Sequence, residues 1–392
     1  MLLTPKIDGS RIVTNIDGAG AWKAGLDISA KSDWWRRVAA GEETFYADYS
    51  LGIDVPLSIA VLPALVNLLP LAWLTDTVIE VNELDAHFAA ALPFIKMRYQ
   101  KMYPEFEWKG GVEAQNLRVE HVGQAVGNPI SLFSGGVDAV FTALANLALK
   151  PTLTTIWGAD VFFHDCDGWA RVEAMNKAFA DRLGLEFIAV KSTFRTHLEY
   201  GYLDETFGKP IKDNWWHGYQ FGPALSAISL PLAFSQKADT VFLASDYSKK
   251  DPYIGRSASD AALVQEFRAG GASVKCHDFN VSRQDKVRFI CEFSRKNPDI
   301  EIPLRVCWQS SSGVNCGKCE KCMRTQFAIM GCNSSPSDFG FDMSDTKQDE
   351  IIEVIASGKI VKTAFWREIV SDLQDSKFAG SPIAKALLNA PA

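Results

Sequence analysis

Pro129-Ile130-Ser131-Leu132-Phe133-Ser134-Gly135-Gly136-Val137-Asp138-Ala139-Val140 is the stretch from which the rest of the chain can be read. A short apolar run enters Ser-Gly-Gly and leaves as an apolar periodic segment, so the order is strand, glycine turn, helix. Two glycines permit a turn whose amide N–H groups converge on an anion, and the helix start adds partial positive charge. Ser134 contributes a hydroxyl donor, and Asp138 a carboxylate able to hold a magnesium ion that bridges phosphates. The spacing matches neither the Walker A loop nor the dinucleotide GxGxxG turn. An ordinary Gly-Gly turn beside a helix start is the alternative.

On the C-terminal side of this turn, strand-like segments at 153–157, 186–191, 240–245 and 273–277 alternate with helical ones at 137–149, 169–183, 215–235 and 283–295. Such alternation predicts an α/β fold with a parallel sheet covered on both faces, and ligands beyond the carboxyl ends of its strands. On the N-terminal side the rhythm differs. Segments 11–15, 44–49 and 77–82 read as strands and 88–102 as an amphipathic helix, which predicts a separate α+β unit over residues 1–125. Residues 126–335 then form the main domain and 336–392 a helical C-terminal extension. The uncharged stretch 55–74 is long enough to cross a bilayer. Pro56, Pro63 and Pro70 interrupt it and Asp54 and Asp76 flank it, so a buried helix or helix pair broken near Pro63 is expected instead. Trp34-Trp35-Arg36-Arg37 reads as a half-buried helix start or as a nucleobase platform.

A length of 392 residues exceeds one average domain, and 47% hydrophobic with 22% charged residues excludes wholesale disorder. With 40 Lys+Arg against 47 Asp+Glu the net charge is −7. A chain of that sign has no general attraction for phosphate polymers, and no nucleic-acid partner is expected. Eleven Trp and 24 Phe favour a large aromatic core or sites for planar ligands.

Four of the eight cysteines, Cys307, Cys316, Cys319 and Cys322, are spaced C-x8-C-x2-C-x2-C. Four thiolates at short spacing match a tetrahedral zinc with no open position, a structural site. Lys318, Lys321 and Arg324 would offset the thiolate charge. An iron–sulfur cluster and a disulfide pair are the rivals. Cys166, Cys276, Cys291 and Cys332 are scattered and read as small buried apolar residues; no partner spacing supports Cys166 as a nucleophile. Met1-Leu2-Leu3-Thr4-Pro5-Lys6 lacks the pattern of a secretory signal, so a reducing, cytoplasmic setting is expected, where grouped cysteines more often hold metal.

Loop and cysteine run together resemble the 7-cyano-7-deazaguanine synthase (QueC) family of the PP-loop ATP pyrophosphatases, whose loop signature is SGGxDS. The resemblance covers roughly residues 129–332. It implies a PP-loop fold with a zinc knuckle, and cleavage of ATP to AMP and pyrophosphate with Mg2+. The substrate implied is a 7-carboxy-7-deazaguanine-type acid, adenylated and then attacked by ammonia to give amide and nitrile. Carried onto this chain, Ser134, Gly135, Gly136, Val137, Asp138 and Ala139 would hold the phosphates. Trp157-Gly158 would meet adenine, unless Trp157 is simply core. Ser134, Asp138, Lys249 and Arg256 would be catalytic, and Asp246, Ser248, Asp251 and Arg256 would hold the acid, although a solvated basic loop is an equal reading of Lys249, Lys250 and Arg256. The family's final loop Ser is Ala139 here, a missing contact worth about 0.5–1.5 kcal/mol. Its D-x-S-G-Y-P-D-C-R loop survives loosely over residues 246–256.

The N-terminal unit has no counterpart in the compact family enzyme. It motivates a second expectation: a QueC-like enzyme, as in antiviral defence clusters, that couples the acyl adenylate to an amine on a protein or other macromolecule. A third is a nucleotide-binding module whose catalysis has decayed, with Ala139 as its first symptom. No membrane partner is expected, and a homodimer is the one assembly considered.

Overall fold

The computed structural model describes residues 1–17, 45–121, 126–249, 256–309, 313–359 and 362–390. Trp34-Trp35-Arg36-Arg37, Lys250 and Asp251 lie outside the described residues. Eleven strands are described: β1 (Leu2–Asp8), β2 (Arg11–Asp17), β3 (Phe45–Tyr49), β4 (Val78–Asp85), β5 (Gly111–Arg118), β6 (Ile130–Leu132), β7 (Thr152–Trp157), β8 (Phe187–Ser192), β9 (Thr240–Ala244), β10 (Arg268–Ala269) and β11 (Ala272–His277). They form one sheet in the order β10-β11-β9-β6-β7-β8-β3-β2-β1-β4-β5.

The middle of that sheet, β11-β9-β6-β7-β8, is parallel throughout. β6 comes first in the chain, with β7 and β8 on one side of it and β9 and β11 on the other. The winding therefore reverses between β6 and β9, where the loops after the two strands diverge and leave a crevice at their carboxyl ends. β7 is buried along nearly its whole length, as a strand covered on both faces must be.

Ten helices of eight residues or more surround the sheet among the described residues: α1 (Leu62–Leu74), α2 (Ala86–Met102), α3 (Val137–Ala145), α4 (Cys166–Arg182), α5 (Phe221–Ser235), α6 (Arg283–Lys296), α7 (Glu320–Gly331), α8 (Asp345–Ala356), α9 (Arg367–Gln374) and α10 (Pro382–Asn389). The uncharged stretch is indeed a helix pair, Leu57–Ala60 and α1, broken at Val61. α1 packs on α5, and both are buried nearly all round, as helices apolar on every face must be. No helix among the described residues is long and apolar enough to cross a membrane.

The expected division near residue 125 falls where strands of both segments share one sheet and one core. β3 pairs antiparallel with β8 through Ala47–Ser192, Asp48–Lys191 and Tyr49–Val190. The buried Tyr49 hydroxyl donates to the Ile228 carbonyl of α5 at 2.8 Å. Leu3, Ile12 and Leu65 belong to the same apolar cluster as Ile188, Ile228 and Val241. A second cluster joins α3, α6 and α7 to the C-terminal helices through Val140, Ile290, Phe327, Leu373 and Leu387. A fragment of residues 126–392 would bare the β8 edge and half of the first core, so we expect it to aggregate or to lack near-ultraviolet circular dichroism. A monodisperse fragment with a cooperative melt would instead show two independent units.

A cationic crevice and a four-cysteine cluster

The glycine turn is held by hydrogen bonds from two sides. Gly135 has φ +78°, and a Cβ there would come within 2.8 Å of Asn176 Oδ1 and 3.0 Å of Met175 Cε, so only glycine fits. Asn176 Nδ2 donates to Thr155 Oγ1 at 2.9 Å, and the Thr155 hydroxyl donates to the Phe133 carbonyl at 2.6 Å. From the other side, Arg305 N donates to Gly135 O at 2.8 Å and Arg305 Nη1 to Ser134 O at 3.3 Å. Ser134 Oγ accepts from Gly136 N at 3.4 Å. Val137 and Ala139 are buried in the second core.

Asp138, in the first turn of α3, is clasped by two cations from the first turn of α6. Lys286 Nζ donates to its Oδ1 at 3.1 Å, and Arg283 Nη1 to its Oδ2. Lys286 is 2% exposed and also donates to the Ser245 carbonyl after β9. Burial alone would raise the Asp138 pKa, but Arg283, Lys286 and Lys321 outweigh it and hold the carboxyl far below the ordinary range. Lys321 and Arg324 on α7 are depressed by desolvation and by the nearby Arg283. Cations are thus crowded here beyond what Asp138 neutralises.

Three buried guanidinium nitrogens, Arg283 Nη2, Arg305 Nε and Arg324 Nε, have no hydrogen-bond partner. Each buried, unmatched donor costs about 1–3 kcal/mol. Arg283 and Arg324 line a cavity of about 160 Å³ whose wall also includes Ser248, Ser282, Phe365, Arg367 and Glu368. Unmatched donors, excess positive charge and a glycine turn at a helix start together fit a polyanion. Both Asp138 oxygens are already taken by cations, so this carboxylate does not fit a magnesium ion in the arrangement described.

Of the expected site residues, Ser134 and Asp138 lie at the glycine turn, and Ser248 lines the cavity beside Arg283 and Arg324. Asp246 is half-buried next to it and accepts from Ser259 Oγ at 2.8 and 3.0 Å; burial raises its pKa against that hydrogen bond. Lys249 is exposed, with its backbone N–H donating to Phe279 O at 2.9 Å. Arg256 pairs with Glu105 and lies 5.6 Å over the Tyr103 ring. Trp157 stacks on Trp169 at 5.2 Å and carries Lys191 Nζ 4.4 Å over its ring, which makes the packing reading of Trp157 the better supported. Gly158 has φ +103°, and a Cβ there would strike Ser192 O at 2.3 Å. The cations at the turn are therefore Arg283, Lys286, Arg305, Lys321 and Arg324 rather than Lys249 and Arg256. Ser282-Arg283-Gln284-Asp285-Lys286 carries the one local signal for two of them: a capping Ser followed by basic residues one turn apart on one face.

Cys307, Cys316, Cys319 and Cys322 bring four sulfur atoms within 4.8 Å of one another. Tetrahedral Zn–S bonds of about 2.3 Å place sulfurs about 3.8 Å apart, so the set fits one such ion after slight contraction. Cys319 N donates to Cys316 Sγ at 3.3 Å, and the buried Gln326 ties the knuckle through Gly317 O at 2.6 Å. Four thiols could fill every position of such an ion and leave none open, the pattern of a structural site. Cys319 caps α7 and Cys322 lies in its first turn, while Lys321 and Arg324 on the same turns face the crevice charges. Lys318 pairs with Glu350 at 3.4 Å.

No family model, curated protein or solved structure matches the chain.

Metal analysis of protein purified without air should find one zinc per chain and no labile sulfide, and Cys319→Ser should lower both zinc content and melting temperature. Unchanged values for the variant would remove the metal from this site. Asp138 makes a second test. Its folded pKa lies below the unfolded one, so its contribution is present above the unfolded value of about 3.9 and fades as pH falls through the folded one. Asp138→Asn should therefore destabilise by about 3 kcal/mol at pH 7, with the gap to wild type narrowing below about pH 4 in urea titrations.

Proposed function

We propose that the protein is an ATP-dependent carbon–nitrogen ligase of the 7-cyano-7-deazaguanine synthase type. It would adenylate the carboxylate of a 7-carboxy-7-deazaguanine-type acid, release pyrophosphate, and pass the acyl group to an amine. The observation that carries this is the set of buried, unpartnered Arg283 and Arg305 donors around the glycine turn at the switch point. A carboxylate resists amine attack until its oxygen becomes part of a leaving group. Attack on the α-phosphorus supplies that group as AMP and breaks the bond to pyrophosphate. In this reading the turn's amides cradle the triphosphate, and Arg283, Lys321 and Arg324 stabilise the charge that develops on the departing pyrophosphate. Asp138 keeps Arg283 and Lys286 in place, and Ser248 in the cavity wall faces the acid.

The acceptor is ammonia in the simplest version, giving amide and then nitrile. A macromolecular amine is supported by one contact: the Glu105–Arg256 pair joins the N-terminal segment to the loop after β9. That places N-terminal surface beside the acid's expected loop, an extension that ammonia would not require.

Incubation with ATP, magnesium, 7-carboxy-7-deazaguanine and ammonium should yield AMP, pyrophosphate and an amide or nitrile by mass spectrometry. Arg283→Met should slow pyrophosphate release by about 10²-fold or more. ADP and orthophosphate as products would assign another ATPase class, and failure to bind nucleotide at all would leave a decayed module.

A further inference from the structure

A second polar cluster at the same edge of the sheet has no part in holding phosphate. The turn Trp216–Gln220 that leads into α5 has π-helical hydrogen bonding, a form concentrated at functional sites. His217 in this turn places Nδ1 2.5 Å from Asp213 Oδ2 and Nε2 3.1 Å from the Tyr247 hydroxyl. An acceptor carboxylate at Nδ1 fixes that nitrogen as N–H and leaves the Nε2 lone pair facing the phenol. His217 is fixed along its backbone as well: its N–H donates to Asn214 Oδ1 at 2.9 Å, and its carbonyl accepts from Ala258 N at 2.8 Å. The side chains of His217 and Asp213 are 35% and 23% exposed, open enough for a proton to leave.

This chain is joined to the phosphate turn by hydrogen bonds. Lys286 links Asp138 to the Ser245 carbonyl, and Ser245 Oγ donates to the Tyr247 carbonyl. The Tyr247 ring lies 6.3 Å from that of Phe365, which lines the cavity beside Arg283.

We propose that Asp213, His217 and Tyr247 form a proton relay serving the amine-transfer half of the reaction, an inference that rests on the ligase reading above. As the amine nitrogen bonds to the acyl carbon, the carbon–oxygen bond to AMP breaks and AMP leaves as the anion. The N–H proton passes to the Tyr247 oxygen while the phenol proton passes to His217 Nε2, and Asp213 stabilises the imidazolium. Asp213 is a positioning residue, since it acts through His217. The hydrogen bond that His217 donates to Asp213 raises the His217 pKa against the effect of burial, with a smaller contribution from Asp246. Of the other charged groups, Asp246 acts on His217, Arg324 interacts with Tyr247, and Arg256, Glu105 and Asp260 act with Asp213 on Tyr103, whose hydroxyl donates to the Gly218 carbonyl.

The two half-reactions separate under one probe, 7-carboxy-7-deazaguanine with ATP. In His217→Gln and Tyr247→Phe, pyrophosphate–ATP exchange should stay within about twofold of wild type while amide formation from ammonium falls about 10²-fold or more. Hydroxylamine, unprotonated at neutral pH, should restore transfer in both variants. Asp213→Asn should slow amide formation, because an amide can set the wrong imidazole tautomer, and should move the acid limb of the remaining amide-forming pH profile to lower pH, because the imidazolium loses its partner. If wild-type protein shows no exchange, the ligase reading and the relay fall together. If wild type exchanges and His217→Gln still makes amide at the wild-type rate, or if exchange and transfer fall equally, the relay alone is overturned. An unmoved acid limb in Asp213→Asn overturns it as well, should the other variants not fold.

Discussion

The clasp of Arg283 and Lys286 on Asp138 is the interaction on which the site depends. It joins the first turn of α3 to the first turn of α6, and through Lys286 it also fixes the backbone after β9. Removing two cations and a carboxylate from water is costly, and their attraction repays it only in good geometry with the remaining hydrogens satisfied. Here they are not all satisfied: Arg283 keeps one nitrogen free of any hydrogen bond, and Arg305 and Arg324 do likewise. The crevice is therefore held rigid and under-neutralised at once, the state in which an incoming polyanion gains most.

The cysteine cluster serves that crevice from a distance. α7 begins at the knuckle and within its first turns presents Lys321 and Arg324 toward Arg283. Like charges so close repel, and a helix carrying them would back away unless its start were anchored. A metal ion held by the four thiols that meet within 4.8 Å would, together with the Gln326 bond to Gly317, provide such an anchor.

Local signals were legible in the sequence and long-range ones were not. β6, β7, β8, β9 and β11 appear within a residue or two of their expected positions, because glycine turns and a period of alternating strand and helix punctuate that region. The cysteine set is read from spacing alone. β1 is different: Pro5 argues against a strand, yet it is tolerated because parallel pairing with β4 extends only over Leu2 and Leu3. β5 is an edge strand with mostly exposed side chains, so the apolar alternation that would reveal it is absent. Arg283 and Lys286 fall in a segment read only as a helix; the fold carries them to Asp138, 145 and 148 positions away.

Sharing one sheet also dictates an order of events as the chain is made. Tyr46 donates its backbone N–H to Thr193 across 147 residues, and Tyr49 meets Ile228 across 179. During synthesis β1, β2 and β3 can pair with one another and with β4, but the outer edge of β3 and the core face around Phe45 and Leu65 stay uncovered until β8 and then α5 leave the ribosome. Contacts of such sequence separation slow folding and lengthen the exposure of apolar surface. The core face first to be translated is thus among the last to be covered.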